Sequence, residues 1–145
     1  MLESLSQTCD AIVSIERPSV NPTGSYMTMR AIDIIGLTAE IDQYLFPQVG
    51  KPKFNPKQSL ISIGDGGNEV GMGYVRPLVE QFITNGEKIC ANTTCDFLLV
   101  SDTSNFGGYA LVNALCIELF ATYQTDPQSF ATLFPQMFGP VIESF

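Results

Sequence analysis

The chain has 145 residues, with 15 acidic and 7 basic side chains, a net charge of −8, 45% hydrophobic residues and no histidine. This length and hydrophobic content predict a single globular domain over residues 1–145, and the missing histidine excludes imidazole bases, histidine-dependent triads and most zinc sites. All 7 basic residues lie within the first 88 positions, so we expect the acidic chain to bind neither nucleic acid nor a membrane surface.

The first half of the chain alternates apolar runs with Pro/Gly-rich loops. Ala11–Ile15 predicts a short buried strand that ends at Glu16. Thr38 is expected to cap a helix whose apolar residues at 41, 44, 45 and 49 share one face. The lysine- and proline-rich stretch 51–57 is typical of a solvated loop and does not predict a binding patch.

The second half begins with Ser59–Ile63, a β-branched run that predicts a central strand and leads into a glycine-rich segment, residues 64–73. Apolar residues at 75, 78, 79, 82 and 83 predict an amphipathic helix, closed by Asn85-Gly86. Lys88–Ala91 and Phe97–Val100 are further strand candidates. Residues 109–120 are apolar on almost every face, which predicts a helix packed on several sides, and Asp126-Pro127 predicts the start of a last short helix.

Strands that alternate with helices predict an α/β fold, Rossmann-like, with a mainly parallel sheet and flanking helices. In such sheets the ligand crevice lies beyond the carboxyl ends of the strands. We therefore expect Glu16, Asp65 and the Ser101-Asp102 pair to converge on one cleft.

The four cysteines, Cys9, Cys90, Cys95 and Cys116, are widely spaced. The four residues between Cys90 and Cys95 exceed the usual two-residue metal-knuckle spacing, so we expect buried, reduced thiols. The N-terminus shows no secretory pattern, and no window approaches the ~18 consecutive apolar residues of a membrane span. A cytoplasmic location is the resulting expectation.

The glycine-rich segment, Gly64-Asp-Gly-Gly-Asn-Glu-Val-Gly-Met-Gly73, is the strongest candidate site. Glycines let a ligand approach the backbone, and a loop that opens a helix offers free N–H groups. The segment matches neither the dinucleotide fingerprint nor the P-loop. Asp65, Asn68 and Glu69 either cap a tight turn or form a site, in which the carboxylates act as acid and base or hold a divalent cation such as Mn²⁺ or Mg²⁺.

Two arginines and a second loop complete the candidates. Arg17 can hold a substrate carboxylate or pair with Glu16, and Arg30 can do the same or pair with Asp33. The loop Ser104-Asn-Phe-Gly-Gly108 either turns its N–H groups into the cleft or serves as a polar helix cap.

Four segments, in order, resemble the successive motifs of the D-glutamate cyclase-like C-terminal domain family: Glu16 to Pro18, Tyr26 to Arg30 with Asp33, Ile63 to Gly73, and Ser104 to Leu111. The resemblance implies lactam formation, in which the α-amine of D-glutamate attacks its own γ-carboxyl, water leaves and 5-oxo-D-proline results. The family domain is longer, with a further α/β portion before the first of these motifs. The chain therefore resembles a truncated version of it, its carboxyl-side half.

The resemblance and the residue types together suggest roles. The amine must lose a proton, which calls for a carboxylate with a raised pKa, either Glu69 or Asp65. The other one protonates the leaving hydroxyl or holds a metal ion. An arginine holds the α-carboxylate, while amides and loop N–H groups stabilise the oxyanion. The candidate catalytic residues are Asp65, Asn68, Glu69 and Asn105, and the candidate substrate-binding residues are Glu16, Arg17, Arg30, Gly66, Gly67, Ser104, Gly107 and Gly108.

Two other readings stay open. The chain can be a non-catalytic module that binds a small carboxylate or phosphate, or an inactive fragment that needs a partner chain. On the enzymatic reading the ligand is a small acidic amino-acid substrate. We expect the chain either to form a homo-oligomer or to bind a partner chain that supplies the missing half of the domain.

Overall fold

The computed structural model describes residues 8–128. The chain divides into two compact units, Met1–Gly108 and Tyr109–Phe145. The first unit contains a parallel sheet of three strands in the order β1-β2-β3, formed by β1 (Ala11–Ile15), β2 (Ser59–Gly64) and β3 (Phe97–Val100). The α/β fold and these three predicted strands are confirmed.

The two faces of this sheet differ in burial. On one face Leu60 packs with Phe46 and Val70 in the buried core cluster. On the other face Val13 and Phe97 are exposed, and both lie in register with Ile61. The buried core cluster of the first unit therefore lies on the Leu60 face, whereas on the other face Ile63 is buried next to Gly107.

Among the described residues, the strands are accompanied by the helices α1 (Asp42–Leu45), α2 (Arg76–Phe82), α3 (Gly86–Ile89) and α4 (Ser104–Thr125). Single 3₁₀ turns occupy Ile35–Leu37 and Gly73–Val75. The amphipathic helix predicted after the glycine-rich segment is confirmed as α2, which the second 3₁₀ turn precedes. Its proline at the second position suits a helix start, where the missing N–H is not needed.

The predicted helix from Thr38 to residue 49 is wrong in extent, because α1 has only four residues. Thr38 adopts an extended conformation and does not cap it. Phe46 already has extended backbone angles, as expected for a residue that precedes a proline. Gln48 then forms an isolated antiparallel bridge with Thr93, so the chain beyond α1 runs beside the residues that precede β3.

The predicted strand at Lys88–Ala91 is also wrong. Asn85 takes left-handed backbone angles, with φ of 62°, and Gly86 begins the short helix α3. Ile89, Cys90 and Ala91 are fully buried outside the sheet. Their apolar character reflects this burial, and a short apolar run does not distinguish a buried strand from a buried helical turn.

The second unit contains most of α4. The expectation that residues 109–120 pack on several sides is wrong, because Val112, Leu115 and Phe120 are all exposed. By length and composition α4 is long and apolar enough to cross a membrane, since the mean hydropathy of its most apolar window is 1.2. Buried core helices of soluble proteins pass the same test. The predicted last helix lies, from residue 129 onward, outside the described residues.

All four cysteines are free, as expected, but only Cys90 is buried. Cys9 and Cys95 are partly buried and Cys116 is exposed. The prediction of buried thiols is therefore wrong for Cys9, Cys95 and Cys116. For Cys116 the reason is that α4 is exposed at that position.

Hydrogen bonds from Lys53 join the lysine-rich loop to the residues just before β2 and β3. Lys53 donates from Nζ to an Asp96 carboxylate oxygen at 2.8 Å and to the Gln58 carbonyl at 2.7 Å. The same Asp96 oxygen accepts the backbone N–H of Leu60 at 2.9 Å. One carboxylate thus connects this loop, the second strand and the start of β3.

Replacing Asp96 with asparagine should lower the free energy of unfolding by about 1 to 2 kcal/mol at neutral pH. Although burial opposes it, hydrogen bonding to Lys53 and Leu60 gives Asp96 a lowered pKa in the folded chain. A lowered folded pKa gives stability that is present above the unfolded pKa and lost as the pH falls through the folded pKa. Urea unfolding from pH 7 down to pH 2 should show the difference shrinking, and exposed Asp102→Asn is the control. A difference that does not depend on pH would contradict this assignment.

Candidate active site

Three carboxylates meet beyond the carboxyl ends of β1 and β2. Glu16 follows β1, Asp65 follows β2 and Glu69 lies four residues further on. One carboxylate oxygen from each lies within 4.8 Å of the other two. Glu16 is exposed, Asp65 is partly buried and Glu69 is 4% exposed. The predicted convergence of the first two strand ends is therefore observed, with Glu69 added to it.

The third strand end contributes a residue other than the predicted Ser101-Asp102 pair. Ser104, the first residue of α4, donates to one Asp65 carboxylate oxygen from its backbone N at 3.0 Å and from its hydroxyl at 3.1 Å. Asp102 does not belong to the carboxylate cluster of the described residues. The helix start thus provides two donors that favour the charged form of Asp65.

Backbone pairing brings Glu16 and Glu69 together. Glu16 has left-handed backbone angles, with φ of 56°, and its N–H bonds to the Ile63 carbonyl at 3.2 Å. The chain then runs antiparallel to the glycine-rich segment, with a bridge between Pro18 and Glu69 and a 2.8 Å bond from the Val70 N–H to the Arg17 carbonyl. The left-handed turn at Glu16 therefore directs the chain after β1 along the segment that carries Glu69.

The glycine-rich segment folds around the Glu69 carboxylate. Gly66 donates its N–H to the two carboxylate oxygens at 3.1 and 3.2 Å, and Gly67 donates to one of them at 2.8 Å. Gly67 has φ of 104°, and a Cβ there would lie 2.5 Å from a methyl group of Val79. Only glycine fits this position, because a side chain would be strained in its backbone and would overlap α2.

The environments of Glu69 and Asp65 shift their pKa values in opposite directions. Burial raises the pKa of Glu69, and the nearby charge of Asp65 adds to the rise, although the N–H groups of Gly66 and Gly67 oppose it. Burial acts on Asp65 as well, but hydrogen bonds from Ser104, Glu16 and Glu69 outweigh it and lower the Asp65 pKa. Two carboxyls whose pKa values are pushed apart are suited to serve as an acid and a base.

Neither arginine pairs with its predicted local acid. Arg17 donates from Nη2 to the Ala39 carbonyl at 2.6 Å and lines a separate cavity of about 240 Å³ beside β1. Its Nε is buried and makes no hydrogen bond. Arg30 is exposed on a turn. Asp33 accepts instead from the Ser25 hydroxyl at 2.6 Å and the Ile35 N–H at 2.8 Å, so the predicted Arg30 pair does not form.

Of the other predicted site residues, Asn68 and Gly107 make structural contacts, whereas Asn105 is exposed to solvent. Asn68 is buried and donates its amide to the Met27 carbonyl at 2.8 Å. Gly107 packs the first turn of α4 on β2, since a Cβ there would lie 2.5 Å from an Ile63 methyl group. Gly108 lies in the same turn, close to β1. Asn105 is exposed and keeps its side chain at the surface.

A cavity of about 210 Å³ adjoins the carboxylates. Asp65, Gly66 and Gly67 form its polar border. The remaining walls are apolar: Met72, Val75, Leu78, Val79, Phe82, Ile83 and Val100. A small ligand in this cavity would therefore meet the polar edge only at the strand ends.

The carboxylate cluster is suited to a positive ligand. Across residues 8–128, the ion pairs that form are Lys53 with Asp96 and Arg76 with Glu80, and neither involves the cluster. Three carboxylates with no basic partner attract an ammonium group or a hard divalent cation that prefers oxygen ligands.

Sequence reasoning missed a buried polar group behind the glycine-rich segment, formed by Ser19, Asp42 and Thr93. These residues are distant in sequence but share hydrogen bonds. The available signal was weak: each is a small polar residue close to apolar ones, and Asp42 lies in the first turn of a short helix.

Comparison with known proteins adds a family. A family model described as D-glutamate cyclase-like, C-terminal, matches residues 3–134, a range that includes every candidate site residue. The human protein named D-glutamate cyclase, mitochondrial, is 38% identical to the chain over 108 residues. This alignment covers 74% of the chain and 17% of the human protein, so the chain corresponds to a small share of that relative's length.

Proposed function

Because the chain belongs to the D-glutamate cyclase-like C-terminal family, we propose that it converts D-glutamate into 5-oxo-D-proline, a hydro-lyase reaction. The observation that best supports this activity is the cluster of Glu16, Asp65 and Glu69, in which the pKa of Asp65 is lowered and that of Glu69 is raised. The alignment covers only 17% of the human relative, so the activity of this chain by itself is part of the proposal.

The reaction requires proton transfers at two places. The substrate's α-ammonium nitrogen forms a bond to the γ-carbon and loses two protons, and one γ-oxygen leaves with those protons as water. A base is therefore needed at the nitrogen and an acid at the leaving oxygen. Closing a five-membered ring is favoured by proximity, so the protein mainly selects the folded substrate and moves protons.

The two carboxyls with opposite pKa shifts match these two needs. Asp65 keeps its charge because its pKa is lowered, so it attracts the ammonium group and is the proton acceptor nearest to it in this proposal, although a lowered pKa makes it a weaker base than an ordinary aspartate. Glu69, whose pKa is raised, holds a proton more readily and donates it to the leaving oxygen. Glu16 lies at the exposed side of the cluster and adds negative charge for the ammonium.

The substrate carboxylates need donors that the cluster lacks. Arg30 is exposed on its turn and remains a candidate for the α-carboxylate. Arg17 is the weaker candidate, because its Nε is buried and its guanidinium lies beside a separate cavity. Asn105, exposed at the start of α4, remains a candidate for stabilising the oxyanion at the γ-carbon. The Asn68 amide already bonds to Met27, which makes it the weaker oxyanion candidate.

The same three carboxylates fit a divalent cation such as Mn²⁺ or Mg²⁺. Their oxygens are hard donors, and they approach within 4.8 Å of one another. Glu16, Asp65 and Glu69 would hold such an ion, which supplies Lewis acidity to a carboxyl oxygen when bound. Turnover measured after chelation, and again after addition of Mn²⁺ or Mg²⁺, tests whether the cyclisation depends on a cation.

Replacing Asp65 with asparagine should reduce 5-oxo-D-proline formation by about 10²-fold or more, because the variant loses its base and its attraction for the ammonium group. Chromatography of the product from wild type and variant measures this, and exposed Asp102→Asn is the matched control. Unchanged turnover in Asp65→Asn would contradict the assigned role. Thermal stabilisation of the wild type by D-glutamate without any product would favour the binding-module reading instead.

The setting of this activity also stays a prediction. We expect a cytoplasmic chain, whereas the name of the human relative places that protein in mitochondria. We also propose that the chain forms a homo-oligomer or binds a partner chain, and light scattering combined with size exclusion tests for both.

A further inference from the structure

A buried carboxylate outside the candidate active site organises a polar network. Asp42 is 1% exposed, and across the described range no lysine or arginine forms an ion pair with it. One of its oxygens accepts the Tyr26 hydroxyl at 2.5 Å. The other accepts the Val20 N–H at 2.8 Å and the Ser19 hydroxyl at 3.3 Å. Three donors therefore satisfy this buried carboxylate without a cation.

The network continues from Ser19 to the glycine-rich segment. The hydroxyl oxygens of Ser19 and Thr93 lie 2.8 Å apart, and the Thr93 oxygen accepts the Gly71 N–H at 3.0 Å. Each hydroxyl has one proton to donate. The Ser19 hydroxyl can donate to the Asp42 carboxylate at 3.3 Å or to the Val20 carbonyl at 3.1 Å, and either oxygen of the Ser19–Thr93 pair can be its donor. Hydrogen-bond contacts therefore connect Asp42, Ser19 and Thr93 to the backbone of the glycine-rich segment.

The network reaches both sides of Glu69. Gly71 lies two residues after it, and the Ser19 N–H donates to the carbonyl of Asn68, the residue before it, at 2.8 Å. Burial, together with the hydrogen bond to Asp42, raises the pKa of Tyr26, so its hydroxyl keeps the proton that it donates. Linked hydrogen bonds in a buried network polarise one another, which strengthens the network.

We propose that Asp42 is a positioning residue, which, through Ser19 and Thr93, holds the glycine-rich segment in the conformation that sets the Glu69 carboxylate against Asp65. The structural half of this proposal concerns the order of residues 64–73 and needs no enzymatic activity. The catalytic half rests on the proposed function, because it predicts that turnover depends on that order.

Three variants test the network at different points. Asp42→Asn keeps the shape, but its amide NH₂ must face at least one of the three donors that converge on residue 42. Thr93→Val removes the hydroxyl with little change in volume, and Thr93→Ser retains it. Ile89→Ala provides the matched control, because Ile89 is fully buried and lies outside the network, so the variant loses stability by another route.

Amide hydrogen exchange measures the structural half. In Asp42→Asn and Thr93→Val, exchange at residues 64–73 should become about tenfold faster relative to β2. In Thr93→Ser and Ile89→Ala the ratio between the segment and β2 should stay at the wild-type value. Equal acceleration in the segment and in β2, or no acceleration in Asp42→Asn, would overturn the proposal.

Kinetics measure the catalytic half. For D-glutamate, Asp42→Asn and Thr93→Val should lower kcat about tenfold with KM within about twofold of wild type, and Thr93→Ser should restore kcat. If exchange changes as expected and kcat does not, the positioning role in catalysis is overturned. If the wild type forms no product, the proposed function fails, while the exchange ratios still decide the structural half.

Discussion

Replacing Glu69 with glutamine should reduce the turnover of D-glutamate by about 10²- to 10⁴-fold, the usual contribution of a positioned acid or base. Glutamine retains the size of the side chain but can neither release nor take up a proton. Burial raises the pKa of Glu69 in the folded chain, whereas hydrogen bonds lower the pKa of Asp65, so of these two carboxyls Glu69 holds its proton to the higher pH. The loss should therefore appear as a lower kcat, because Glu69 is proposed to protonate the leaving oxygen in the chemical step.

The Glu69 prediction needs a control for stability. Gly66 and Gly67 donate to both Glu69 oxygens, and a glutamine NH₂ turned toward them would lose at least one of these bonds. The melting temperature of Glu69→Gln should therefore be compared with that of exposed Glu87→Gln, and turnover measured well below both. A folded Glu69→Gln variant with turnover within about threefold of wild type would contradict the role of Glu69.

Replacing Gly67 with alanine should lower the free energy of unfolding by about 3 kcal/mol or more. The backbone at φ of 104° strains any residue with a Cβ, at a cost of about 1 to 3 kcal/mol. The new Cβ would also lie 2.5 and 2.7 Å from the two Val79 methyl groups, which adds an overpacking cost of about 1 to 3 kcal/mol. Because the Gly67 N–H bonds to Glu69, turnover should fall as well.

Three further variants separate the strain from the overlap. Gly24 has φ of 85° with nothing within 4 Å of a Cβ, so Gly24→Ala should cost only the strain. Combining Gly67→Ala with Val79→Ala should cost less than the sum of the two single changes, because the shortened side chain relieves the overlap. Urea unfolding measures all four variants. A cost for Gly67→Ala no larger than that for Gly24→Ala would contradict the packing argument.

Local sequence signals were sufficient where an element was both apolar and clearly bounded. Ala11–Ile15, Ser59–Ile63 and Phe97–Val100 are short, β-branched or apolar runs that end at polar or glycine residues, and all three are strands. The helix α2 was predicted from its apolar spacing, but it ends at Phe82, and the Asn85-Gly86 pair that was predicted to close it lies at the start of α3. Periodicity and turn residues determine such elements without reference to distant contacts.

The errors in the fold arise where distant contacts decide. Apolar residues around Cys90 fill the interior beside the glycine-rich segment, where the Ala91 N–H bonds to the Gly67 carbonyl, and a run of this length does not specify a strand. Thr38 is of a residue type that often caps helices, but α1 begins only at Asp42. The Asp42 carboxylate accepts hydrogen bonds from Val20 and Tyr26. Partners 16 or more positions away are not visible in local patterns.

The carboxylates of the candidate site could be predicted, but the basic residues could not. Glu16 and Asp65 follow neighbouring parallel strands, so topology alone brings them together. Arg17 follows Glu16 directly, but its guanidinium bonds to the Ala39 carbonyl beside another cavity. The direction of a long side chain depends on the carbonyls that it meets in the folded chain, and sequence spacing gives no information about these.

The most direct test of the proposed cyclisation of D-glutamate by Asp65 and Glu69 follows isotopic labels from substrate to product. The purified chain should be incubated with D-glutamate that carries ¹⁵N at the α-amine and ¹⁸O at both γ-oxygens, with and without Mn²⁺ or Mg²⁺, and the product analysed by mass spectrometry. We expect 5-oxo-D-proline that retains the ¹⁵N and one ¹⁸O, with the other ¹⁸O released as water, and we expect Asp65→Asn and Glu69→Gln to form far less of it. A folded wild-type chain that forms no labelled product under any of these conditions would contradict the proposed function.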